Sequence, residues 1–399
     1  MNSPPSPSPA RWFKLRRTRF GEPCLKTYTL ESVDLLRRAR VAFQNGRTLK
    51  EVFRLTQLEA VVRFLEEHEC DFVEALARDL HKPRFETVLS ELTVVKNEAR
   101  HAINNLKKWM KPQYMEKNLS TTMDECLVVS EPLGVVFIIG TWCSPIQMCL
   151  VPLVGAIAAG VNDLPKVVEL KFDHVFFSGN REDGSRIAQA AARTLTPVTL
   201  ILSGKNPCYV DQQCEIATTA QRIAWARFHN AGQSLVAPDY VLCHADVKAQ
   251  LVEALKYYLM QFYGCDPRES CSYGRMVNLE LFNRTRDMLW RSGKVVVGGQ
   301  VISRLMSETS SGSFCANDSI LQSLMVALPF GGVGASGMGS YHGRYSFDTF
   351  SHRKSCLLRS TRFECVTYLR YPPYEDRNLS LMTWASTVSQ KSQGWCQIL

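Results

Sequence analysis

Apolar positions first recur at helical spacing. Thr48-Leu49-Lys50-Glu51 has the form of a capping box, and Val52, Phe53, Val62, Phe64 and Leu65 follow it with a helical period. Residues 30–112 as a whole read as helical. Within them a clear helix runs roughly from Ser90, with Leu92, Val95, Ile103 and Leu106 on one face, until Pro112 stops it. The pattern then changes. Residues 133–140 form a short apolar run between glycines, which fits a strand buried on both faces. A loop around Pro145 leads into an apolar stretch over 148–161 that reads as a buried helix. Residues 173–179 repeat the strand-then-turn theme, and a helix-like stretch follows from Gly184. Strands alternating with helices predict a parallel α/β sheet. Further on, Asp246 is placed to cap a helix carrying Leu251, Leu255, Leu259 and Phe262, closed by Gly264. Residues 293–299 frame another short strand. The final third is irregular, aromatic and rich in glycine, and no internal repeat is present.

Composition narrows the class. With 399 residues, 45% hydrophobic and 21% charged, the chain can bury a substantial core across two or three domains. Part of the +9 charge lies in Arg11, Lys14, Arg16, Arg17 and Arg19, before the first acidic residue, Glu22. Such a run can face an acidic surface or act as a transit peptide. The prolines at 4, 5, 7 and 9, and the lack of an amphipathic apolar face, favour a disordered tail over 1–29. The 14 cysteines form no CxxC pair and sit near no His at metal spacing, a pattern of reduced thiols rather than disulfides or a metal site. No signal peptide is evident, and the longest apolar stretch is short and contains Pro152. A cytoplasmic chain is expected, with the Asn-x-Ser/Thr sites at Asn118, Asn283, Asn317 and Asn378 unglycosylated and no nucleic-acid partner.

Three motifs bear on chemistry. Gly332-Val333-Gly334-Ala335-Ser336-Gly337 matches G-x-G-x-x-G, but the residues after it open no helix and no βαβ unit remains to complete, so a tight surface loop is expected. The turn at Ser178 and Gly179, followed by Gly184 near a helix start, is a weak candidate for holding a phosphate on backbone amides. The chain ends Cys396-Gln397-Ile398-Leu399, a C-a-a-X box that points to geranylgeranylation of Cys396 on a polar tail. One prenyl chain needs a second anchoring signal, for which Lys391 or the N-terminal basic run is available.

Several segments together resemble the class 3 aldehyde dehydrogenases, especially their lipidated 3B branch. They are residues 77–82, 131–136, 195–197, 204–207, 228–233, 236–240 and 329–334, with the tail at 370–374 and the C-a-a-X ending; the likeness runs from about residue 30 to 399. The resemblance implies a Rossmann-type cofactor domain, an α/β catalytic domain and small bridging strands used for dimerisation. It divides the chain into helices and cofactor domain over 30–204, catalytic domain over 205–330, a bridging segment over 331–380 and a flexible tail over 381–399. It also implies NAD or NADP as cofactor and a medium- or long-chain aldehyde as substrate. In that chemistry a cysteine thiolate attacks the aldehyde, an asparagine and a backbone amide hold the oxyanion, and a glutamate activates water.

This chain departs from the pattern at each role. The nucleophile position is Leu235, the general-base position is Ile201, and the oxyanion asparagine position is Cys143. Two blocks also look absent, one between Asn162 and Val168 that should hold the adenosine ribose and one between Gln300 and Thr309 that should reach the nicotinamide ribose. Both main domains are therefore expected to be truncated and cofactor binding to be doubtful, with Ser178, Gly179 and Gly184 a weak remnant. The leading expectation is a catalytically inactive relative. Retained aldehyde oxidation is the competing one. A third is a tethered partner of intact relatives or of a second copy, held to the cytoplasmic face of membranes or to lipid droplets.

Overall fold

The structure, a computed structural model, describes residues 30–117, 124–160, 162–163, 171–291, 310–359 and 376–386. The proposed strand over 293–299, the N-terminal basic run and Cys396 lie outside them.

The N-terminal region is helical: α1 (Leu30–Gln44), α2 (Glu51–Glu67), α3 (Glu69–Leu80), the short α4 (Arg84–Thr87), a π-turn at Val88–Leu92 and α5 (Thr93–Trp109). Strands β1 (Gln113–Tyr114), β2 (Glu125–Pro132) and β3 (Val135–Ile139) follow, then α6 (Pro145–Ala159), β4 (Asn162–Asp163), β5 (His174–Gly179), α7 (Arg181–Ala192) and β6 (Val198–Leu202). Next come β7 (Pro207–Val210), α8 (Ile216–Phe228), β8 (Tyr240–Cys243), α9 (Ala245–Tyr263) and α10 (Leu279–Arg291). The chain closes with β9 (Phe330–Gly331), β10 (Gly337–Met338), β11 (Ser340–Tyr341), α11 (Gly343–Thr349), β12 (Ser351–Leu358) and α12 (Asp376–Ser386).

The main sheet has the order β10-β6-β5-β3-β4, parallel except for β10. Strand alternation assigns its two faces. Val136, Phe176 and Ile201 point into a core shared with α2, α5 and α6, whereas Val135, Phe137, Val175, Phe177 and Leu200 meet Leu36 and Ala39 of α1 and Ile187 of α7. Both faces are covered, so the strands are mainly apolar, and the polar residues within them, His174, Ser178 and Thr199, are buried. A smaller unit pairs β7 with β8 in parallel and seats α8 and α9 on Val210, Ile223, Cys243 and Leu251. The third sheet, β1-β2-β12, joins residues from distant parts of the chain, with β2 and β12 in register from Ser351↔Pro132 to Leu358↔Glu125.

Local chemistry differs from the sequence reading at several points. Thr48 does not cap α2: Lys50 is the N-cap, without a side-chain bond, and the Thr48 hydroxyl has no partner. The Thr48 carbonyl is instead taken by the buried Arg54 guanidinium, which also donates to Ala158 O. His244, not Asp246, caps α9, its ring nitrogen accepting from the Asp246 amide. The helix expected from Gly184 begins at Arg181, because Asn180 supplies the cap. The G-x-G-x-x-G segment is a 3₁₀ turn that opens no helix. It is more than a surface loop, since Gly337 and Met338 pair with Ile201 and Leu200 at the sheet edge.

Candidate functional site

The site forms where α8 ends. Its last residue, Phe228, leads into a turn in which Asn230, Ala231 and Gly232 all take left-handed φ, at 54°, 54° and 74°. Glycine adopts this freely, but two preceding residues with side chains store strain on the order of 1–3 kcal/mol each. Clamps hold the turn. The Asn230 amide donates to Glu86 Oε2 at 2.9 Å, Asn230 Nδ2 to the Cys143 carbonyl at 2.8 Å, and Gln233 Nε2 to Asn230 O and Arg275 O. The 228–233 motif is thereby tied to α4 and to the loop before α6.

Of the three positions singled out in the sequence, Cys143 touches this turn through Asn230, Leu235 follows it in the chain, and Ile201 lies in the core that Leu235 packs against. Leu235 packs against the main apolar core, and its carbonyl accepts from Asn206 Nδ2 at 2.8 Å. Ile201 belongs to the same core; it is 2% exposed near the C-terminal end of β6, paired with Ser178 on one side and Gly337 on the other. Cys143 is buried, with its Sγ 3.1 Å from Thr141 Oγ1, and burial pushes the thiol up from its ordinary value. A buried, protonated thiol is a poor nucleophile. Among the described residues, Ser90, Gln147, Trp225, His229, Asn230 and Ser234 help line a cavity of about 30 Å³, the room of one water molecule.

The sequence reading missed the buried charges that support this region. Lys82 Nζ lies 2.5 Å from Glu91 Oε1, and Glu91 Oε2 accepts from the Ile146 and Gln147 amides at the start of α6. Glu86 faces the His229 ring, Nδ1 to Oε1 3.5 Å. Burial raises Glu86 to about 7, against the lowering effect of the Asn230 amide and Lys82; burial and Lys82 lower His229 to about 4. Lys82, Glu86 and Glu91 lie within ten residues, but Lys82 precedes Pro83 outside the helix and Glu86 and Glu91 are five apart, so no helical face in the sequence groups them.

These shifts predict a pH dependence. Glu86 is raised above its ordinary 4.5, so its stabilisation is complete below about pH 4.5 and lost as pH rises through about 7. His229 is depressed, so its contribution is present above 6.5 and lost as pH falls through about 4. The two oppose each other between 4.5 and 6.5. Glu86→Gln removes only the first, so the stability of the native chain relative to this variant should fall by about 3 kcal/mol between pH 4.5 and 7. Urea denaturation of both proteins across that range checks it; a constant difference would contradict the assignment.

The weaker remnant lies at the β5–α7 turn. Ser178 is 2% exposed and its hydroxyl has no partner in the structure. A Cβ on Gly179 would lie 2.6 Å from Phe177 Cζ, and one on Gly184 would lie 2.7 Å from Leu202 Cδ2, so both glycines permit close packing. Asn180 Oδ1 accepts from the Asp183 amide at 2.9 Å, and its Nδ2 donates to Asp183 Oδ2 at 2.6 Å. Among the described residues, no cluster of His, Cys, Asp or Glu could hold a metal, and no helix is long and apolar enough to cross a membrane.

Comparison with known proteins agrees with this architecture. The aldehyde dehydrogenase family model matches residues 29–170 and 167–305. Aldehyde dehydrogenase family 3 member B1 of Homo sapiens is 38% identical over 462 residues, covering 90% of this chain and 98% of that protein. The dimeric NADP-preferring aldehyde dehydrogenase of Canis lupus familiaris is 36% identical, covering 85% and 97%. The substrate-bound structure of Staphylococcus aureus AldH superposes with a TM-score of 0.82 at 29% identity, covering 88% of this chain and 99% of that one. With the Rossmann-like sheet, the second α/β unit and the Asn-Ala-Gly-Gln turn in place, the chain belongs to the aldehyde dehydrogenase family.

Proposed function

We propose that this chain is a non-catalytic member of the family. The observation that carries the reading is the packing of Leu235 and Ile201 into one apolar core at the positions matching the nucleophile and the general base. Neither side chain can bond covalently to an aldehyde or take a proton. Cys143 offers no substitute: it is buried and protonated, its thiol is bonded to Thr141, and Ile201 provides no base. Loss of a covalent nucleophile alone costs on the order of 10⁶ in rate in a well-characterised hydrolase, and losses within one catalytic unit do not multiply. One is enough.

Truncation is consistent with this reading. The two family matches meet at 167–170, where one block looked absent, and the alignment to the human relative extends over 462 positions against 399 residues here. The purified chain with NAD or NADP and a medium- or long-chain aldehyde is expected to form reduced cofactor no faster than a heat-denatured control. Turnover above that control would overturn the reading.

A second role is favoured by the β1-β2-β12 sheet, which leaves Tyr114, Leu357 and Leu358 more than half exposed. An apolar sheet edge of this kind suits pairing with an intact relative or a second copy. Co-expression with a full-length class 3 relative is expected to give a co-purifying complex that weakens when Leu357 and Leu358 are both changed to Lys; separate elution of the two chains would sink it.

A further inference from the structure

We infer that the β5–α7 turn, which matches the pyrophosphate turn of the family, no longer accepts a dinucleotide because α7 supplies its own anions there. The inference rests on the same family assignment as the proposed function but on different residues. A helix start offers a diphosphate unpaired backbone amides and the positive end of the helix dipole. Here the Asp183 amide is already engaged and acidic side chains already face the dipole. Asn180 caps α7 through the Asp183 amide, and its own carboxamide is held by the Asp183 carboxylate. Glu182 and Asp183 place two carboxylates in the first turn, where they satisfy the dipole from within the chain. Arg186 bonds Glu182 at 2.6 Å and approaches Asp183 at 3.6 Å, so its positive charge is directed at these acids. Arg181 is the other cation of this turn; it is exposed. A diphosphate approaching the amides would therefore meet two carboxylates at close range and would have to displace the Asn180 cap. The buried Ser178 hydroxyl, left without a partner beneath the turn, marks a position built for a polar contact that no other described residue makes. The residues present do not fit the cofactor that the fold implies.

The test compares the native chain with the isosteric double variant Glu182→Gln and Asp183→Asn. Both positions are exposed, with side chains 77% and 51% accessible, so the variant should fold; unchanged circular dichroism and urea midpoint confirm that it does. Titration calorimetry with inorganic pyrophosphate, NAD and NADP is the readout, backed by hydrogen exchange over residues 178–186. The native chain is expected to bind none of the three at millimolar concentration. The variant should gain at least tenfold in pyrophosphate affinity, with new protection at the start of α7. Micromolar NAD or NADP binding by the native chain would overturn the inference while leaving the loss of chemistry intact. No gain in the variant would also overturn it. Aldehyde oxidation by the variant alone would support the inference and instead defeat the non-catalytic reading, so the two fail separately.

Discussion

Replacing Lys82 by methionine is expected to destabilise the chain by about 3–5 kcal/mol, the range found when one member of a buried ion pair is removed. The side chains of Lys82 and Glu91 are 1% and 0% exposed and meet at 2.5 Å. Without the ammonium, Glu91 must either keep an uncompensated charge in the core or take up a proton. Protonation brings its own loss, because the second oxygen accepts from the Ile146 and Gln147 amides and a charged acceptor holds these more strongly. The damage should therefore reach the start of α6. A double change, Lys82→Met with Glu91→Leu, removes the stranded charge but orphans both amides, so it should recover only part of the loss. Urea denaturation gives the size, and hydrogen exchange at residues 146–150 gives the location. A Lys82→Met chain within 1 kcal/mol of the native one would show that the pair contributes no net stability.

That pair also shows where the sequence was hard to read. The strands at 133–140 and 173–179 were legible because continuous apolar runs between glycines admit few alternatives, and both became central strands buried on each face. The stop at Pro112 and the Gly264 cap were legible for similar local reasons. Caps chosen by tertiary contacts were not. Thr48 has the right residue type three positions before Glu51, yet Arg54 takes its carbonyl and draws that segment toward α6. Leu235, Ile201 and Cys143, the positions that the resemblance matches to the family's reacting residues, could be singled out only because a long resemblance fixed their register; as isolated residues they look like ordinary core. Glu86, Lys82, Glu91 and His229 were invisible for the opposite reason. Charged residues in a helical segment default to the solvent side, and only the fold shows that these four face inward around the 229–232 turn.

On the non-catalytic reading proposed above, placing a cysteine at 235 and a glutamate at 201 should not give aldehyde oxidation. Leu235→Cys is half-buried at the end of a clamped loop, so it should introduce a thiol that iodoacetamide labels, detected by peptide mass spectrometry above the exposed Cys70, Cys265 and Cys271. Aldehyde oxidation should stay at background, because no base stands at Ile201. Adding Ile201→Glu brings in a carboxylate at a position 2% exposed, surrounded by the apolar side chains of the main core. Burial without a partner raises a carboxyl group strongly, so at neutral pH it would be protonated and unable to activate water. The same burial should cost several kcal/mol, on the order of 3 or more, which a drop in the urea midpoint would register. The double variant is thus expected to be labelled at Cys, less stable, and still inactive. If it oxidised an aldehyde instead, the surrounding scaffold would have kept a working cofactor and substrate path, and two point changes would account for the whole loss. Persistent inactivity with an intact fold is the outcome that a carboxyl group held protonated by burial at position 201 requires.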